Sequence, residues 1–190
     1  MKLLALDMST SATGWALFEN GKLVEHGVLV PKIPGIHKLK YPRKALACII
    51  AMNDAIQELI NRTLPDSLVI EEVNRGINRI AQKSLDALHF FVLRSMQGTH
   101  QPLLESLVYV DSNGAEGWRP RLGLRLSQAD KAENKKTRRK DKKAAVINWK
   151  TIAVRWVISK YGLDLSSDND PGTDGDIADA VCLGHAHLFC

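Results

Sequence analysis

Long hydrophobic runs are missing from this sequence, and cysteine is scarce. No stretch reaches the roughly 18 consecutive apolar residues of a membrane-spanning helix, and the apolar run at 3–6 is too short for a signal peptide. The three cysteines, Cys48, Cys182 and Cys190, share no metal-ligand spacing, which favours reduced thiols over a disulfide framework. We therefore expect a protein without membrane segments in a reducing compartment, the cytoplasm.

The residues that are present make up an ordinary globular chain. Of the 190 residues, 45% are hydrophobic and 25% are charged, which provides enough apolar surface for one core. We expect a single domain over residues 1–190, with a basic loop insertion at about 111–143.

Positive charge is concentrated in one segment. Residues 131–143 hold eight Lys or Arg against Glu133 and Asp141, a net charge of +6, which leaves −1 for the rest of a chain whose total is +5. A local basic segment favours a polyanionic partner, of which nucleic acid is the most common. A solvated loop or a targeting patch is the alternative interpretation.

Apolar periodicity predicts an α/β order of elements. Strands are predicted at 3–6, 13–19, 22–30, 68–70 and 103–110, and helices at 42–64, 77–96, 147–161 and 175–188. Asn20-Gly21 is typical of a hairpin turn, so the first three strands form an antiparallel meander. The fully apolar strand at 68–70 is typical of a buried parallel arrangement. A mixed central sheet flanked by helices is therefore expected.

Four carboxylates stand at the ends of predicted elements. Asp7 ends the first strand and Glu71 ends the strand at 68–70, while Asp176 and Asp179 lie three residues apart on one face of the last helix. Mg²⁺ prefers oxygen ligands of this kind. Two such ions about 4 Å apart can hold the attacking and leaving oxygens of a phosphodiester. The pattern predicts a two-metal nuclease site.

Each carboxylate also has a purely structural interpretation. Asp7 is able to cap the Ser/Thr turn that follows it, and Asp176 is able to stabilise a helix N-terminus. Neither effect explains Asp179 one turn later. Glu71 and Glu72 point to opposite faces if the strand continues through them, so Glu72 stays an alternative to Glu71 as the ligand.

Taken together, these motifs resemble the RuvC branch of the RNase H-like (retroviral integrase) nucleases. Residues 4–7 with the following Ser/Thr turn are similar to the first family motif, and residues 69–73, Val-Ile-Glu-Glu-Val, to the second. Residues 176–180 are similar to the third motif, Asp-x-x-Asp-Ala. The section 117–123 and the Lys-rich run are closer to phage-type resolvases than to the bacterial enzyme.

The resemblance implies an RNase H-like fold and an endonuclease that cuts four-way (Holliday) DNA junctions by paired hydrolysis. It implies two Mg²⁺ or Mn²⁺ ions per active site, held by Asp7, Glu71, Asp176 and Asp179. It also implies a homodimer built around the helix at 77–96, and a phage protein that acts in the host cytoplasm. The basic residues expected to contact DNA are Arg119, Arg121, Lys135, Lys136, Arg138, Arg139, Lys140, Lys143 and Lys150.

Three other functions fit parts of the pattern. The same site would also serve a nuclease for flaps, forks or RNA–DNA hybrids. Leu6-Asp7 with its Ser/Thr turn also resembles sugar kinases and actin-like ATPases, but 190 residues leave no room for their second nucleotide-binding domain. A non-catalytic DNA-binding module accounts for the basic run and leaves the four carboxylates unexplained.

Overall fold

Among the described residues, five strands form one mixed sheet. The computed structural model describes residues 1–72, 78–113, 116–141, 144, 146–165 and 172–190. The strands are β1 (Lys2–Asp7), β2 (Thr13–Glu19), β3 (Lys22–Leu29), β4 (Ser67–Glu71) and β5 (Val108–Val110). Their order is β3-β2-β1-β4-β5. The first three strands are antiparallel, and β4 and β5 continue the sheet parallel to β1, which confirms the expected mixed arrangement.

Helices cover both faces of this sheet. They are α1 (Arg43–Thr63), α2 (Arg79–Met96), α3 (Gln101–Glu105), α4 (Trp118–Arg121), α5 (Gln128–Lys140), α6 (Trp149–Tyr161) and α7 (Gly172–Phe189). None of the helices in the described segments combines the length and the apolar character needed to span a membrane.

The central strand β1 separates two hydrophobic cores. Successive side chains of a strand point to opposite faces. Leu3 and Ala5 therefore pack with α6 and α7, while Leu4 and Leu6 pack with α1 and α2. Burial on both faces explains why β1 is continuously apolar in sequence until Asp7.

Helix α7 packs closely against the sheet because a glycine lies at each of two contact points, one on β2 and one on α7. A Cβ atom at Gly14 of β2 would lie 1.9 Å from the carbonyl oxygen of Asp176. A Cβ atom at Gly184 of α7 would lie 2.4 Å from the ring of Phe18 and 3.0 Å from the Cβ of Ala5. These close contacts bring the first two turns of α7 to the carboxyl end of β1.

Two predicted segments differ in the structure. The predicted strand at 103–110 is the short helix α3 followed by β5, and Pro102 lies at the start of α3, where proline is well tolerated. Residues 111–143, predicted to form a loop, contain α4 and α5. Helix α5 buries none of its side chains, so it has no apolar periodicity by which to recognise it.

Candidate active site

Asp7 and Glu71 lie at the carboxyl ends of neighbouring parallel strands. β1 and β4 pair with Leu6 opposite Ile70, so the next residue of each strand falls at the same edge of the sheet. Alternation along each strand turns both carboxylates toward the face that carries α6 and α7. The sheet thus brings together two acids that are far apart in sequence.

Helix α7 adds the other two carboxylates to this edge. Asp176 and Asp179 lie on the helix segment that packs against Gly14, and Asp179 is only 2% exposed. One oxygen of Asp179, Oδ1, is buried without a hydrogen-bond partner among the described residues. An unpartnered buried carboxylate oxygen is costly, and a cation in contact with it would remove that cost.

Two basic side chains enter the cluster of four carboxylates. The guanidinium of Arg119 lies 3.7 Å from Oε1 of Glu71 and 3.5 Å from Oδ2 of Asp179. It stacks 4.3 Å from the ring centre of the buried Trp118, which fixes its plane. The Nζ of Lys150, in the first turn of α6, donates a hydrogen bond to Oδ1 of Asp176.

The four carboxylates carry more negative charge than these two cations offset. Burial, followed by repulsion from Asp179 and Glu71, raises the pKa of Asp7 well above its usual value. Burial also raises the pKa of Asp179 to about 7, although Arg119 acts in the opposite direction. Protonation or an additional cation would each relieve this repulsion.

The carboxylate oxygens of the cluster are suitable ligands for a hard divalent cation, but most of these side chains already form ion pairs within the protein. Arg119 and Lys150 contact three of the four carboxylates. Within the described part of the chain, no three acidic, His or Cys side chains converge closely enough to hold an ion as they stand. A metal ion would therefore have to compete with Arg119 and Lys150 for carboxylate oxygens.

Comparison with known proteins identifies the fold. No protein-family model and no curated protein matches the chain. The chain is similar to the structure of T. thermophilus RuvC in complex with a Holliday junction substrate, with a TM-score of 0.59, 13% identity and coverage of 100% of this chain and 94% of that chain. A second structure of Thermus thermophilus RuvC gives a TM-score of 0.55 at 14% identity, again covering 100% and 94%. This chain has the RuvC fold. The expected RNase H-like architecture is confirmed.

Within the RuvC fold, Glu71 rather than Glu72 faces the cluster. Glu72 follows the last residue of β4 and is exposed. It lines a separate cavity of about 470 Å³ together with His89 and Phe90 of α2. The alternation of β4 explains the difference, because Glu71 shares a face with Val69 in the core beneath α7.

The other basic residues that we expected at DNA divide into three groups. Arg121 donates a hydrogen bond of 2.9 Å to the carbonyl of Ala186 and thereby joins α4 to α7. Lys143 lies outside the described residues. The exposed basic residues of α5 are Lys135, Lys136, Arg138, Arg139 and Lys140.

The sequence patterns single out the four carboxylates but do not indicate their internal partners. Arg119 and Lys150 are predicted as DNA contacts, whereas the structure gives both of them carboxylate neighbours in the cluster. Trp118 is fully buried and supports the guanidinium of Arg119. These pairings join distant segments, and no local spacing in the sequence indicates them.

Proposed function

We propose that this protein is a metal-dependent endonuclease that cuts branched DNA and resolves four-way junctions. The observation that carries the proposal is the cluster of Asp7, Glu71, Asp176 and Asp179 at one edge of the sheet. Support also comes from the RuvC fold, since one RuvC of this fold has been described with a Holliday junction substrate. The basic helix α5 supplies the charge that a nucleic acid would need.

The proposed cofactor is Mg²⁺ or Mn²⁺, with two ions per site. Asp7, Glu71, Asp176 and Asp179 would be the residues that hold these ions. When bound, such ions lower the pKa of water and stabilise the charge of a phosphorane-like transition state. The raised pKa values of Asp7 and Asp179 support this assignment, since an added cation would let both carboxylates ionise.

The chain's own cations have distinct proposed roles. Arg119 is held between Trp118 and two carboxylates, so it keeps Glu71 and Asp179 oriented. The side chain of Lys150 is 41% exposed, so it is able to move away from Asp176 and contact a phosphate. We propose that Lys150 neutralises the scissile phosphate while the carboxylates hold metal.

Paired cleavage requires two active sites, and we propose a homodimer for this reason. Helix α2 is the proposed interface. It exposes large apolar side chains, with Phe90 67% exposed, Ile80 54% and Phe91 39%. Phe90 and Phe91 are adjacent in sequence, and exposed apolar patches mark association surfaces on soluble domains.

The proposal is tested with labelled four-way junction, Y-fork, flap and linear duplex substrates, each incubated with Mg²⁺, Mn²⁺ or EDTA. Symmetric, ligatable and metal-dependent nicks in the junction alone support a resolvase. Cutting of forks and flaps as well supports the broader branched-DNA nuclease. Absence of cutting by wild-type protein with either metal contradicts the nuclease, and ATP binding in its place would support the kinase-like alternative.

A further inference from the structure

A basic groove lies beside the candidate active site and is not part of it. It has a volume of about 630 Å³ and runs between α5 and the residues that lead into α6. Basic side chains of α5 line one wall, and Trp149, the first residue of α6, lines the other. Pockets of this size are typical of small-ligand or nucleotide binding.

The cations of the groove form one face of α5. Lys131, Lys135, Arg138 and Arg139 follow each other at helical spacing, so their side chains project to the same side. No ion pair involves any of these four within the described residues. Four cations without internal partners on one wall of a groove attract a polyanion such as a phosphodiester backbone.

Trp149 supplies the opposite, aromatic wall. Its side chain is 43% exposed, which is unusual for the largest apolar residue. An exposed indole that lines the same groove as several cations is a combination used to bind single-stranded nucleic acids, since a base stacks on the ring while the backbone meets the charges. A continuous duplex does not offer the face of a base to such a ring, whereas an unpaired nucleotide does.

Polar contacts hold the groove in shape. Asn134 of α5 donates a hydrogen bond of 2.7 Å to the carbonyl of Ile147 and accepts one of 2.8 Å from its N–H. Arg155 of α6 donates to Asp130 at 3.1 Å, and Ser127 with Asp130 forms a capping box at the start of α5. Helix α5 buries none of its own side chains, so these specific contacts, rather than apolar packing, fix its position.

We infer that the groove between α5 and Trp149 binds an unpaired DNA strand and leads it to the carboxylate cluster. Lys150, the residue after Trp149, contacts Asp176, so one helical turn joins the groove to the cluster. The inference deepens the proposed function and rests on it, because the bound strand would consist of the unpaired nucleotides at a DNA branch point. Binding to the groove itself does not require cutting.

The first test measures binding of a single-stranded oligonucleotide and of a duplex of the same length in EDTA, where metal-dependent cutting is absent. Trp149→Ala should weaken single-strand binding about tenfold, the equivalent of one lost base stack, and should leave duplex binding almost unchanged. Trp149→Phe should restore most of the loss, because its ring still stacks. Equal single-strand affinity of wild type and Trp149→Ala would overturn the inference.

The second test uses charge variants that are matched in number and in helix. Arg138→Gln/Arg139→Gln removes two cations of the groove, and Lys136→Gln/Lys140→Gln removes two cations of α5 that do not line it. The salt slope is the change of log K with log salt concentration, and each phosphate contact on a single strand contributes roughly 0.7 to its magnitude. Loss of the two groove cations should therefore lower the magnitude of the slope by about 1.4, and loss of the other two cations should lower it by clearly less. Equal effects of both pairs would mean diffuse attraction and would contradict a defined groove.

The two proposals fail in different ways. If the groove variants lose single-strand binding as expected but wild type cuts no branched substrate with Mg²⁺ or Mn²⁺, the groove stands and the nuclease assignment is wrong. If wild type cuts junctions while Trp149→Ala binds single strands like wild type, the nuclease stands and the groove assignment is wrong.

Discussion

At the residue scale, the candidate site is a balance of charges in which Asp7 has the least favourable position. Burial raises its pKa, and repulsion from Asp179, Glu71 and Asp176 raises it further. Arg119 and Lys150 contact the other three acids, and neither forms an ion pair with Asp7 in the described structure. A buried carboxylate of this kind costs folding free energy when no metal is bound.

Asp7→Asn should therefore change stability and activity in opposite directions. We expect the metal-free variant to be more stable than wild type by about 0.5–2 kcal/mol, since one charge is removed from the cluster. Millimolar Mg²⁺ should raise the Tm of wild type by mass action and leave the Tm of the variant nearly unchanged. Thermal denaturation with and without Mg²⁺ measures both effects.

In a cleavage assay, Asp7→Asn should lose the cutting of a junction, while its binding to a junction in EDTA persists. A variant that cuts at the wild-type rate would remove Asp7 from the site.

A second residue-scale effect concerns His89 of α2, on the opposite face of the sheet from the cluster. Burial lowers the pKa of His89 to about 4, and its ring stacks on Tyr109 with a centroid separation of 5.7 Å. The unfolded chain binds a proton near pH 6.5, whereas the folded protein does so only near pH 4. The free energy of unfolding should consequently decrease as the pH falls from 6.5 to 4, by about 3 kcal/mol for this group at most.

His89→Gln should remove this part of the pH dependence. Denaturant unfolding at pH 7 and pH 4.5 would show a smaller difference for the variant than for wild type, since glutamine does not titrate. Replacement of the exposed His37 by Gln serves as the matched control and should retain the wild-type difference. Equal pH dependence of wild type and His89→Gln would contradict the assignment.

At the scale of elements, the sequence predicts what periodicity and chain order encode. The strands that carry Asp7 and Glu71, and the helix that carries Asp176 and Asp179, were expected at nearly their observed positions because each is strongly apolar. The residue order also indicated that these acids end their elements. Their convergence depends on β1 and β4 being adjacent and parallel, which the apolar pattern of either strand does not contain.

Helix α5 illustrates what periodicity cannot predict. It is held by a capping box and by Asn134, and it exposes its basic residues on a surface without an apolar stripe. Periodicity does not predict the pairing of Arg119 with Glu71 and Asp179 either, since that pairing depends on the tertiary position of α4. Polar contacts between distant segments thus mark the limit of what the sequence alone predicts here.

The close approach of α7 to the sheet gives a prediction for two glycines. Gly14→Ala would place a Cβ against the backbone of Asp176, and Gly184→Ala would place one against Phe18, away from the carboxylates. Both variants should lose about 1–3 kcal/mol of stability through overpacking. Only Gly14→Ala should also weaken the rise of Tm with Mg²⁺, since it displaces Asp176. Similar Mg²⁺ responses in the two variants would mean that the contact at Gly14 does not position the carboxylate.

At the scale of the whole molecule, the proposed paired cleavage makes one strong demand, which is a second copy of the active site. The most exposed apolar side chain of α2 is Phe90, and it borders the cavity that Glu72 and His89 line. A stable dimer interface buries at least about 1,000 Å² and usually centres on aromatic anchors. Helix α2 offers such anchors on a rigid element.

If the proposed dimer forms through α2, Phe90→Glu should convert it into monomers, because a charge in the centre of an apolar interface stays desolvated without a partner. Val24→Glu introduces the same charge at another exposed apolar position, on β3, and should leave the oligomeric state unchanged. Sedimentation equilibrium measures the mass of each variant.

On a junction substrate, monomeric Phe90→Glu should nick single strands but lose the symmetric paired cuts, whereas Val24→Glu should retain them. A Phe90→Glu protein that stays dimeric would place the interface elsewhere, and a monomeric wild type that still makes paired cuts would show that cleavage does not depend on dimerisation.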